Sequence, residues 1–373
     1  MTSTVIQRRP TVQASRLPTL TGLRFIAAFL VFLCHTTVFR VFADQNLNNE
    51  LTRFLVPLGT TGVEFFFILS GFVLTWSAKP ADSARSFWWR RATKIYPNNL
   101  AGCALAAIGL LATHQVLNFA TVARNVFLVQ SWWPDQWVDA GINVPSWSLA
   151  CEVFFYLVFP LLLPVIRRVP VRLLWPLAGG VVALVALVPA VAGSLPGGGI
   201  QLSGVPFVRY WLVYSFPVSR LLDFTLGIVL ARIVAAGRWR QPPIVVVVAF
   251  VCSAYLVTLV VPLLYAVTVT MLVPLALLIG ACATADVRGT PSIMRGRVAV
   301  WLGEVSFAFY ILHYLVLTYG TQGLGSPQLG IPAGIGLLAG LCAITVLLAA
   351  GLYRAVERPV VRAARRPSPT LGA

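Results

Sequence analysis

The sequence predicts an all-α integral membrane protein, a bundle of about ten transmembrane helices with both termini cytoplasmic. Three observations lead there. The 373 residues are 58% hydrophobic and 10% charged, against roughly 25% charged in an ordinary soluble domain, so charge is too scarce to cover a water-facing surface. Mean hydropathy is +0.84. The apolar residues also gather into runs close to the roughly 20 residues that a hydrocarbon core demands of a helix, the element that satisfies its own backbone in lipid.

Taken in order, the runs fall at about 20–41, 57–77, 98–116, 147–166, 172–192, 212–236, 243–261, 263–283, 299–320 and 332–354. The first follows a basic, polar stretch without a small-residue cleavage site and reads as a retained span. The seventh and eighth nearly fuse around Pro262, which reads as a tight outer turn. With the N-terminus inside, the inner segments hold 22 of the 28 Lys and Arg residues, which sets the orientation. The net charge of +17 therefore reflects topology, and no nucleic-acid partner is expected. The expected organisation is a cytoplasmic tail at 1–19, a membrane domain at 20–354 and a basic tail at 355–373, both ends disordered. The expected location is the inner (plasma) membrane, multi-pass. The longest outer segment, about 117–146, carries tryptophans that suit either a cap over a cavity mouth or an interfacial belt.

The six cysteines lie in or beside apolar runs without paired spacing, so neither a disulfide framework nor zinc is expected. Three scattered histidines make a poor ligand set, so no metal and no permanently bound cofactor is expected.

Ionisable groups inside spans are costly and mark cavities or partners. At 1.5 Å per residue, His35 lies roughly 16 Å deeper than Arg24 and on the same helix face. Glu64 and Glu152 lie about 10 Å and 8 Å below the outer ends of their spans, and His313 about 20 Å above the inner end of its own. Four ionisable groups from four helices thus reach one level in the outer half of the bilayer. A carboxylate beside His35 would orient the ring and leave its other nitrogen to take a proton from a hydroxyl. Arg24 near the inner face suits an anion. An amphipathic donor with charged phosphates and a long thin arm fits both ends, and acyl-coenzyme A has that shape.

Plainer readings stand beside these. His313 can serve a helix-to-helix hydrogen bond, Glu64 and Glu152 can neutralise Arg24 or Arg220, and His114 reads as structural. Asp223 follows Arg220 by three residues, the spacing of an intrahelical ion pair. Glu304 and Glu357 read as surface partners of nearby arginines. The glycines of GTTGVEFFFILSG suit close helix packing.

The pair Arg24 to His35 within LTGLRFIAAFLVFLCH, with GTTGVEFFFILSGFVL (59–74), WRRATKIYP (89–97), WSLACEVFFYLVFP (147–160), SRLLDFTLGI (219–228), LGEVSFAFYILHY (302–314) and ERP (357–359), resembles bacterial integral-membrane acyltransferase family 3. The resemblance implies a ten-helix enzyme that moves an acyl group from acyl-CoA to a hydroxyl. It implies a catalytic role for His35 with Arg24, and CoA contact by Arg90 and Arg91. Trp147, Tyr156, Arg220, Tyr310 and His313 complete the set as candidates for substrate contact. Glu64 and Asp223 stand where the family commonly has Asp and Glu. Many glycan-modifying members carry a further span and a soluble domain after the tenth helix. This sequence stops about twenty residues past it, so direct transfer to the acceptor is expected. Its opening LPTLTGLRFIAA is similar to compact actinomycete members that acylate macrolide or sugar hydroxyls.

The expectation is an acyl-CoA-dependent O-acyltransferase with His35 as general base and Glu64 or Glu152 orienting it. The acceptor would be a sugar or a glycosylated natural product. An acyl-enzyme route is also open. The rival is a transporter or exporter of a lipid-linked glycan, which would also explain buried charges in many spans.

Overall fold

The structure, a computed structural model, describes residues 16–79 and 82–364. The expected disorder of the N-terminal end falls largely outside these residues, whereas 355–364 of the expected C-terminal tail is helical, continuing the last apolar helix. The helices are α1 (Pro18–Thr36), α2 (Gln45–Ser77), α3 (Ala84–Ala112), α4 (Phe119–Phe127) and α5 (Gln136–Ala140). They continue as α6 (Ser146–Arg168), α7 (Leu174–Gly193), α8 (Phe207–Tyr214), α9 (Pro217–Ala235) and α10 (Ile244–Thr258). The last are α11 (Leu263–Ala266), α12 (Leu272–Arg288), α13 (Arg297–Gly323), α14 (Ile331–Leu352) and α15 (Arg358–Ala364). A two-residue hairpin, Gln201–Leu202 against Val205–Pro206, precedes α8.

The chain is an all-α, multi-pass membrane protein. Among the described residues seven helices are long and apolar enough to cross a bilayer: α1, α2, α3, α6, α7, α13 and the continuous stretch Ile331–Ala364. The count of ten is not met by length and apolarity alone. The other three expected runs fall on α9, which carries Arg220, Asp223 and Arg232, and on α10 and α12, of 15 and 17 residues. Proline marks two of the breaks around them, because a residue before proline avoids helical geometry. Phe216 turns extended ahead of Pro217, and Pro262 is the extended cap of α11. The expected tight turn at Pro262 is therefore a short helix between two breaks.

The helix starts are set locally. Asp44 caps α2 by accepting from Asn46 N at 2.8 Å and Leu47 N at 3.2 Å, and Ser83 caps α3. No side chain of its own segment caps α1. Asp286, at the end of α12, takes that role by accepting from Thr19 N at 2.9 Å and Thr19 Oγ1 at 2.6 Å, which satisfies orphan donors of the first turn.

Helix α2 forms the axis of the bundle, with 78% of its apolar window buried against 17% for the peripheral Ile331–Ala364 stretch. It packs on α1 and α9, while α1 and α14 flank α13. Glycines allow the approach. A Cβ on Gly71 would strike the Phe224 carbonyl, and one on Gly227 the Ile68 carbonyl. Gly59 and Gly62 likewise face Cys34 and the Ala27 carbonyl, so the glycines of GTTGVEFFFILSG do set close packing.

Candidate active site

Helix α1 carries Arg24 and His35, and α13 carries Tyr310 and His313; the two helices pack along their length. The ring partner of His35 is His313 and not a carboxylate: His35 Nδ1 lies 2.8 Å from His313 Nε2. His313 Nδ1 lies 2.7 Å from the Tyr310 carbonyl, which only accepts, so Nδ1 carries the proton. In the neutral ring His313 Nε2 is then the acceptor, His35 Nδ1–H donates to it, and His35 Nε2 keeps a lone pair. Phe32 and Phe309 pack against the His313 ring, and Tyr314 stands edge-on to His35. His313 is fully buried.

A cavity of about 170 Å³ runs between α1, α2, α3, α6 and α13. Its polar lining includes Arg24, Arg91, Lys94, Glu152, Tyr156 and Tyr310. Tyr156 donates to Glu152 Oε2 at 3.1 Å, and the Arg91 guanidinium lies over the Phe87 and Tyr156 rings. Phe66 and Tyr310, both lining residues, meet edge to face with centroids 5.9 Å apart. The Tyr310 hydroxyl lies 2.8 Å from Ser148 Oγ. Beyond Tyr310 stands the His313 ring, 5.7 Å away between centroids. His35 is one ring further and does not line this cavity.

A second cavity of about 700 Å³ opens at the end of the bundle where α1 begins and the last helix ends. It shares Arg91 and Lys94 with the first and adds Arg16 and Arg90. Arg90 is bound to Asp82 at 3.0 Å and to Ser86 Oγ at 2.6 Å. Lys94 pairs with Glu357, whose other oxygen accepts from Asn98 Nδ2 at 2.5 Å. The surface pairing expected of Glu357 is thus replaced by a buried one. A π-turn at Tyr353–Glu357 swings that carboxylate inward against α3. Glu304 stays exposed and accepts from Tyr353 at 3.3 Å.

The remaining candidates sit elsewhere. Glu64 is buried beside Arg220 and Asp223. Arg220 approaches Asp223 to 2.9 Å across one helical turn, without hydrogen-bond alignment. Its guanidinium rests 5.2 Å from the Phe67 ring and 5.6 Å from that of Tyr214. Trp147 touches the same two rings. Arg220 and Trp147 therefore stand behind Phe67, outside both cavities. His114 closes α3 in a left-handed turn (φ 55°) and is exposed.

The segment between α3 and α6 folds onto the histidine level. Asn143 Nδ2 donates to the Ile311 carbonyl at 3.0 Å, two residues before His313. Gln130 Nε2 donates to Ser146 Oγ at 3.0 Å, which is 2.9 Å from Asn125 Oδ1. Trp132 packs edge-on against Phe154 and Phe216, whereas Trp137 is exposed. The Ser148–Tyr310 contact and the Lys94–Glu357–Asn98 cluster escaped the sequence reading. The signals for the second were Glu357 of ERP and Lys94 of WRRATKIYP, two stretches that share no spacing along the chain.

The family model for the acyltransferase domain matches residues 17–354. The chain is 42% identical to Acyltransferase MdmB of Streptomyces mycarofaciens, over 95% of this chain and 94% of that protein. It is 27% identical to the Exopolysaccharide production protein ExoZ of Rhizobium meliloti, over 87% and 96%. With the Peptidoglycan O-acetyltransferase OatA of Listeria monocytogenes it shares 24% identity, over 92% of this chain and 55% of that one. No solved structure matches it. Matched along nearly its full length by the domain model and by an acyltransferase relative, this multi-pass chain is a membrane acyltransferase and belongs to acyltransferase family 3.

Proposed function

We propose that this protein is an acyl-CoA-dependent O-acyltransferase of the plasma membrane, with ten spans and both termini in the cytoplasm. The observation that carries the reading is the pair of residues, Arg91 and Lys94, shared by the basic cavity and the slim one. Phosphates at the basic end and a thin acyl-bearing arm inside match that continuity. Arg24 at the wall of the inner cavity adds a further cation.

The arm brings the thioester up to the Tyr310–Ser148 hydroxyl pair. Displacement of the Tyr310 ring then opens the last step to His35. His35 Nε2 takes the proton of the acceptor hydroxyl, and the alkoxide oxygen attacks the thioester carbonyl carbon. Collapse of the tetrahedral intermediate breaks the C–S bond, and the departing thiolate takes the proton back from the imidazolium. His313 holds the productive tautomer of His35. Glu152 and Tyr156 shape the arm's channel, while Glu64, Arg220, Asp223 and Trp147 hold its rear wall. The acceptor is a sugar or glycosylated natural-product hydroxyl; the Streptomyces relative supports acyl transfer, and the O-acetyltransferase among the relatives supports a hydroxyl as the group modified.

The test is CoA release by purified protein in detergent, with acetyl-, propionyl- and longer acyl-CoAs and a panel of sugar-bearing hydroxyl acceptors. Acceptor-dependent release, with the acylated product found by mass spectrometry, is expected. No release from any donor, together with no CoA binding, would overturn the reading and leave transport, which flux into proteoliposomes would reveal.

A further inference from the structure

We infer that the last helical segment forms the nucleotide half of the donor site and selects thioesters that carry a 3′-phosphate. The inference rests on the acyl-CoA reading above and extends it to residues outside the Arg90–Arg91 cluster. Residues 331–364 form one continuous helical stretch. The stretch places Arg354, within its π-turn, and Arg358 and Arg362, beyond it, on the wall of the 700 Å³ cavity that Arg90, Arg91 and Lys94 also line. A volume of this size lies within the range of small-ligand sites.

Three features point to an anion. Arg354, Arg358 and Arg362 follow one another at four-residue spacing, an arrangement that repels along a helix. None of them makes an ion pair with a described residue, whereas Lys94 and Arg90 each have one. Arg91 Nε is buried without a hydrogen-bond partner, although Arg91 lines both cavities. The positive-inside bias accounts for cations at this end of the bundle, but not for their convergence on one concavity that continues into the protein. Trp301 of α13, which lines the same cavity, supplies a flat aromatic face of the kind on which a purine stacks.

A diphosphate and a 3′-phosphate divide naturally between the two walls. Arg91 and Lys94, at the junction of the cavities, stand where the diphosphate meets the pantetheine arm. Arg358 and Arg362, further along the last helix, stand where the 3′-phosphate of the adenosine lies. A bare pantetheine thioester, or one carried on a protein, lacks the group those arginines hold.

Equilibrium binding to the full-length protein in phosphatidylcholine nanodiscs tests this without an acceptor. CoA is expected to bind about tenfold to a hundredfold more tightly than its 3′-dephospho form, the range for a charge-assisted contact. The double variant Arg358→Ala/Arg362→Ala should erase that preference by weakening CoA alone, with its thermal unfolding midpoint checked against wild type. Equal affinity of the wild type for the two forms would overturn the inference while leaving the acyl-CoA reading intact. Absence of binding by CoA, its dephospho form and pantetheine alike would overturn both. CoA affinity that ignores the double variant, with phosphatidylglycerol retention that follows it, would assign the cavity to a lipid headgroup and overturn the inference.

Discussion

His35 Nδ1 and His313 Nε2 are 2.8 Å apart, joining α1 to α13 inside the bundle. The Tyr310 carbonyl, 2.7 Å from His313 Nδ1, fixes the direction of every proton in the pair. Because that carbonyl sits on the same helix as His313, the tautomer of His35 is set by backbone geometry and not by a carboxylate. Tyr310 serves twice, its carbonyl toward His313 and its ring toward the cavity.

Packing of α2 on α9 leaves no room for a methyl group at Gly71 or Gly227, where the obstacle is a backbone carbonyl. Gly71→Ala and Gly227→Ala are each expected to destabilise the protein by about 2 kcal/mol or more. Gly180→Ala in α7 meets nothing within 4 Å and is expected to change stability by less than about 1 kcal/mol. Thermal unfolding in detergent reads the difference, and equal midpoints for all three variants would contradict the packing described.

Asp139 lies in α5, between α3 and α6, buried, with Oδ1 unpaired. Burial pushes its carboxyl up from 3.8 to about 6, against the opposing hydroxyls of Ser215 and Ser131. The folded state therefore holds this proton more tightly than the unfolded chain does. Its contribution is full below about pH 4 and is lost as pH rises through about 6, amounting to about 3 kcal/mol. The midpoint of Asp139→Asn minus that of wild type should accordingly grow between pH 4 and about 6 and then level off. A difference that is flat over this range would refute the assignment.

Glu357 is 1% exposed and binds both Lys94 and Asn98. Glu357→Ala leaves the buried Asn98 amide without this acceptor and frees Lys94, which is 31% exposed. Because the lysine remains partly solvated, the expected loss is about 2 kcal/mol, below the range for a fully buried pair. Glu357→Gln keeps the acceptor for Asn98 and should recover part of it. A melting midpoint unchanged in Glu357→Ala would contradict the buried pairing.

Much of this was legible from residue spacing. Depth along the helix axes brought His35 and His313 to one level, and they meet there. The three-residue spacing of Arg220 and Asp223 gave their contact. Depth alone carries no azimuth, however. Glu64 shares that outer level yet lies beside Arg220 and Asp223, while Glu152 faces the cavity. Eleven residues separate Arg24 from His35 on one face, but the rise along the helix carries His35 past Tyr310 and beyond the cavity's end. The role of Glu357 depended on a π-turn that shifts the helical register, which no periodicity in the sequence announces. The basic stretch WRRATKIYP (89–97) lies ahead of the third apolar run, expected at about 98–116. It is the first half of α3, because Ser83 caps the helix well before the apolar run begins.

We propose that His35 and His313 act as one unit at the end of the cavity lined by Tyr310. The most direct measurement is a double-mutant cycle on kcat for CoA release, using His35→Ala, His313→Ala and the double variant, each checked for wild-type folding. Each single variant should lose about 10²- to 10⁴-fold in kcat, and the double variant should lose no more than His35→Ala alone. Losses that multiply in the double variant, or a His35→Ala protein that turns over like wild type, would contradict it.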